Sequence, residues 1–120
     1  MFYKTKYHHG IMISTSLSEN NVIKNKVIKT LQLIYDPEIP VNIWDLGLIY
    51  NIDICVPELH IRMTLTSATC PASDIIVRNI HTKIVENIKE IDTVKVELVW
   101  TPRWNRNLMT QEAKFTLDLL

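Results

Sequence analysis

The stretch Tyr50-Asn51-Ile52-Asp53-Ile54-Cys55-Val56 is followed, after Pro57-Glu58, by Leu59-His60-Ile61-Arg62-Met63-Thr64-Leu65. In the first run the even positions are apolar, and in the second the odd ones are. This is the period-2 alternation of two half-buried strands. Pro57-Glu58 makes a short turn between them, so the pair reads as an antiparallel hairpin with one apolar and one polar face. A third alternating run, Val94-Lys95-Val96-Glu97-Leu98, has the same character. A sheet that is apolar on one side only needs helices to cover that side.

Working outward, the helices are found on both flanks. Ser16-Leu17-Ser18-Glu19 has capping-box spacing and precedes Ile23, Val27, Leu31 and Ile34 at helical intervals. That helix stops near Tyr35, because Pro37 disfavours the helical conformation at Asp36. Between the second and third strands, Ile76, Ile80, Ile84 and Ile88 recur every fourth residue, which predicts a helix of about five turns. Thr110 caps a short last helix through Ala113, Phe115 and Leu117. The predicted class is α/β (α+β): a two-layer sandwich with a small three-stranded mixed sheet and helices on one face. Its order is helix, hairpin, helix, strand, short helix. Residues 1–15 lack periodicity and read as a flexible N-terminal arm, with Met12 as an alternative start and His8-His9 as solvated side chains. Residues 16–120 form a single domain.

Bulk properties exclude several functions. A chain of 120 residues suits one core. With 47% hydrophobic and 22% charged residues it is ordinary globular material, not a disordered segment. Thirteen basic and thirteen acidic side chains cancel, and no run of Lys or Arg makes the basic face a nucleic-acid binder needs. No segment approaches the ~20 apolar residues of a membrane span. Two cysteines make no disulfide framework and no secretory pattern precedes them, so the reading is a cytoplasmic protein with both thiols reduced.

Chemistry concentrates in Thr66-Ser67-Ala68-Thr69-Cys70-Pro71, which leaves the second strand and enters the long helix. Proline favours the first helical position, which makes Cys70 the expected N-cap. Its sulfur then faces unpaired amides and the positive end of the helix dipole. Such surroundings lower a thiol from ~8.5 into a range of roughly 3.5–7.5 and favour the thiolate, the form that attacks electrophiles and binds metals. Thr66, Ser67 and Thr69 add hydroxyl donors for the anion. The plainer alternative is a small buried residue that only caps a helix. Cys55 falls on the polar face of the first strand with no motif around it and reads as structural. In the loop 36–47, Asp36, Glu38 and Asp45 either orient a partner or metal or bond their own backbone in turns around Pro37, Pro40 and Gly47. The residue chemistry favours the turn role. Beyond the third strand, Trp100 continues the apolar face into the core, while Trp104 beside Arg103 is either the candidate partner surface, since Trp and Arg are enriched at binding hot spots, or simple edge packing.

Three stretches together resemble a known family. They are Asp36-Pro37-Glu38-Ile39-Pro40-Val41-Asn42-Ile43 with Leu46-Gly47-Leu48-Ile49-Tyr50, then Met63-Thr64-Leu65-Thr66 leading to Cys70-Pro71, and then Pro102-Arg103-Trp104 with Met109-Thr110 and Glu112-Ala113-Lys114. In this order and spacing, over about residues 20–119, they resemble the SufT/PaaD-type iron–sulfur cluster assembly family, formerly a domain of unknown function. The resemblance implies a role in cluster maturation beside the SUF system, with the motif cysteine at Cys70 and the acidic loop at Asp36 and Glu38. Thr69 stands where some relatives have glycine, and Leu117-Asp118-Leu119 stands where Leu-Gly-Leu is usual. The extra C-terminal cysteines of PaaD-type members are absent, which favours the general maturation branch.

Ligand arithmetic shapes the functional expectation. A cluster takes about four protein ligands, so one good thiolate cannot hold it alone. The leading expectation is a non-enzymatic adaptor or transient carrier. It docks on SUF assembly proteins and apo iron–sulfur targets, is able to act as a homodimer, and touches iron or a transient cluster through Cys70. No tightly bound cofactor, nucleic acid or membrane is expected. Two alternatives stay open: an interaction module with no metal contact, and a thiol-dependent enzyme.

Overall fold

The computed structural model describes residues 10–67 and 73–118, with side chains of the first helix described from residue 20 onward. Helix α1 covers Gly10–Leu31, strands β1 and β2 cover Ile49–Cys55 and Glu58–Met63, and helix α2 covers Ser73–Asn87. Strand β3 (Thr93–Leu98), a 3-10 turn (Arg106–Leu108) and helix α3 (Gln111–Asp118) complete the chain. The sheet runs β1-β2-β3. β1 is antiparallel to β2, and β2 is parallel to β3, the mixed α+β sandwich expected from the alternation.

The apolar faces meet as the pattern requires. Leu59, Ile61 and Met63 of β2 share one buried core with Ile76, Ile80 and Ile84 of α2 and with Ile23, Val27 and Leu31 of α1. Ile52, Ile54, Val94, Val96 and Leu98 pack around this core from the flanking strands. The other face carries Asn51, Asp53, His60, Arg62, Lys95 and Glu97, with Arg62 Nε 3.4 Å from Glu97 Oε1. Burying one side and wetting the other fixes the register, since a one-residue slip would turn every isoleucine to water.

Four local features depart from the expectations. The hairpin turn is Val56-Pro57, because Cys55 pairs with Glu58. A bulge at Tyr50 lets both Ile49 and Ile52 reach the core, which strict alternation forbids. Helix α1 runs from Gly10, so Ser16 lies inside it and not at its N-terminus. No proline or glycine follows Gly10 until Pro37, so nothing interrupts the helix at Ser16. Residues 10–15 of the expected arm are therefore helical, and residues 1–9, with His8 and His9, lie outside the described residues. Finally, Phe115 is 66% exposed while Ala113 is buried, since positions two apart on a helix do not share a face. Thr110 does cap α3, its Oγ1 accepting from the Ala113 amide at 3.1 Å. Among the described residues no helix is long and apolar enough to cross a membrane.

Candidate functional site

Parallel pairing of β2 with β3 sends both strands out at the same edge of the sheet. The ladder continues past their ends, with the Val99 amide donating to the Met63 carbonyl at 2.8 Å. On the other side the Thr64 amide donates to the Leu48 carbonyl at 2.9 Å. The two exits frame a cleft of about 480 Å3, lined by Thr64 to Ser67 just after β2 and by Trp100, Arg103 and Trp104 after β3. The carboxyl ends of parallel strands are the usual place for a binding site in such folds.

Two groups that the sequence offers separately thus come together. Thr66 and Ser67, expected as hydroxyl support, line the same cleft as Arg103 and Trp104, expected as a partner surface. Thr69 and Cys70 lie outside the described residues, which resume at Ser73. Of the two tryptophans, Trp100 departs from its expected place. Trp100 is 45% exposed at the cleft rather than in the core. The apolar parity of β3 ends with the strand at Leu98 and does not carry through the bend that follows. Trp104 packs against the core, and its indole Nε1 donates to the Leu46 carbonyl at 2.7 Å.

None of the three loop acids lines the cleft. Asp36 is buried, and its Oδ1 accepts from the Glu38 and Ile39 amides at 2.8 and 3.1 Å, an Asx-type turn around Pro37. Asp45 is clamped to Asn42: its amide donates to Asn42 Oδ1 at 2.8 Å, and its Oδ2 accepts from Asn42 Nδ2 at 2.9 Å. Glu38 is exposed. This loop carries the wall of the cleft instead. Leu46 receives the Trp104 indole, and the Asp45 carbonyl receives the Thr110 amide at 2.9 Å. Gly47 adopts φ +79°, and a Cβ there would meet the Leu108 carbonyl oxygen at 2.2 Å, so only glycine lets the two segments approach.

The electrostatics of the lining are simple. Among the described residues, Arg103 is its one charged side chain and no carboxylate accompanies it. Thr64 is fully buried there, and its Oγ1 has no hydrogen-bond partner among the described residues. Sequence reading alone passes over Thr64 as one more polar-face position. Among the described residues no three His, Cys, Asp or Glu side chains group to hold a metal.

A family model described as "Iron-sulfur cluster assembly protein" matches residues 24–98, more than half of the chain. A protein of Porphyromonas gingivalis described as an Fe-S protein maturation auxiliary factor is 43% identical over 95 residues, covering 78% of this chain and 90% of that protein. The Fe-S protein maturation auxiliary factor SufT of Staphylococcus aureus is 34% identical over 88 residues, covering 72% of this chain and 99% of that protein. A crystal structure of a domain of unknown function from Bacillus anthracis superposes with a TM-score of 0.80 at 32% identity, covering 83% of this chain and 95% of that one.

Proposed function

The chain belongs to the iron–sulfur cluster assembly protein family, and from that premise we propose that it is an accessory factor in the maturation of iron–sulfur proteins. It acts without turning over a substrate of its own. It docks on cytoplasmic SUF-type assembly proteins and apo-targets and makes a labile contact to iron or a cluster in transit through Cys70. The description of the relatives as maturation auxiliary factors supports the accessory role, and the SufT relative supports the SUF link.

One observation carries the reading: among the described residues the cleft joins Thr and Ser hydroxyls with Arg103, and no carboxylate, at the root of the segment that holds Cys70. Ser67 lines the cleft and Cys70 follows three positions later, so covalent geometry keeps their Cα atoms within roughly 11 Å. A thiolate, and the anionic sulfur assembly it helps to hold, is stabilised by O–H and N–H donors and by one positive charge, whereas a carboxylate would repel it. Two cysteines in the chain fall short of the about four ligands a cluster takes, so the cargo shares its ligands with a partner, a second copy or a small thiol. Sharing is what makes the contact transient.

Anaerobic reconstitution tests this directly. The wild-type protein acquires less than one cluster per chain and passes it to an apo-ferredoxin, and the Cys70→Ser protein acquires none. A full cluster per chain that survives gel filtration would establish storage instead and defeat the carrier reading.

A further inference from the structure

The same cleft has a second property that does not depend on iron. Thr64 is completely buried, yet its Oγ1 finds no partner among the described residues. A buried hydroxyl without a hydrogen bond is costly and uncommon, and at the lining of a cleft it marks a place where something else completes the bond. Around it stand Thr66 and Ser67, the exposed indole of Trp100 and the guanidinium of Arg103. The volume of about 480 Å3 falls within the range of small-molecule sites, and an apolar wall with a few convergent polar groups is their usual make-up.

We infer that the cleft binds a small organic carboxylate with a flat apolar body. The single charge of the lining matches a monoanion. The guanidinium fork matches the two carboxylate oxygens, the Thr64 and Thr66 hydroxyls offer further donors, and the tryptophan face takes the apolar part. A phosphate dianion meets only one cation here and is the poorer match. The site goes beyond the accessory role proposed above and is measured with no iron present.

Isothermal titration of the full chain with phenylacetate, phenylacetamide and inorganic phosphate tests the inference. Phenylacetate binds with one site per chain, and the uncharged amide and phosphate each bind at least about tenfold more weakly. Arg103→Gln lowers phenylacetate affinity by at least about tenfold. Thr64→Val, close in shape, lowers it about fivefold without lowering the melting temperature, because the hydroxyl it removes has no partner in the empty protein. Equal affinity for acid and amide, full affinity in Arg103→Gln, a lowered melting temperature in Thr64→Val, or preference for phosphate would each overturn the inference. A cleft that takes no carboxylate, in a protein whose cluster transfer still depends on Cys70, overturns this inference and leaves the proposed function standing.

Discussion

Asp36 and Gly47 show how much of the 36–47 loop is concerned with shape. Asp36 spends one carboxylate oxygen on two backbone amides while buried, so Asp36→Ala removes both bonds and leaves the amides unsatisfied. We predict a loss of about 1–3 kcal/mol in urea unfolding, with Asp36→Asn, which keeps an acceptor, losing less. A carboxylate serving mainly as a metal ligand would leave stability nearly unchanged. Gly47→Ala meets both a left-handed backbone and the Leu108 carbonyl, and is expected to cost at least about 2 kcal/mol in the same assay. The local chemistry of Asp36 was legible in advance, since an aspartate beside proline is a turn former wherever it falls. Which tryptophan packs and which stays exposed was not, because that depends on the bend of the chain after Leu98.

Among the elements, the sheet was the most legible part. Two different environments on its faces write themselves into Leu59-His60-Ile61-Arg62-Met63 as alternation, and the same pressure gives α2 its isoleucine stripe. Ile61, one of the inward residues of the central strand, is accordingly expected to cost about 2–5 kcal/mol when cut to alanine. The bulge at Tyr50 was illegible, since one inserted residue leaves no compositional trace. So was the start of α1, where Ser16 competes with a run that nothing breaks. An exposed ion pair joins α1 to the turn after α2: Lys26 Nζ lies 3.5 Å from Glu90 Oε2. A backbone hydrogen bond first, and then Lys26, hold the Glu90 carboxyl below its ordinary value of 4.5. A depressed carboxylate stabilises the fold above its unfolded-state value, and the effect fades as pH falls through the folded one. Glu90→Gln should therefore lower the melting temperature slightly at neutral pH, leave it almost unchanged well below pH 4.5, and so flatten the acid side of the profile.

On the scale of the whole molecule, the cleft is a consequence of topology. Thr66 and Ser67 stand more than thirty positions from Trp100 and Arg103 in the chain. They meet because the α2 crossover makes β3 parallel to β2 and brings both exits to one edge. A strand, a helix and a strand in that order carry the signal for parallel pairing, so the meeting was readable in principle from the element order. The contribution of Thr64 was not, because a missing partner is a property of packing. The cellular test of the central claim replaces Cys70 by Ser in cells lacking the wild-type gene and assays iron–sulfur enzymes, with Cys55→Ser as the control and folding checked by circular dichroism. Loss of those activities with Cys70→Ser, and their retention with Cys55→Ser, is the predicted result. Full activity with a folded Cys70→Ser protein would contradict a chemical role for the thiol.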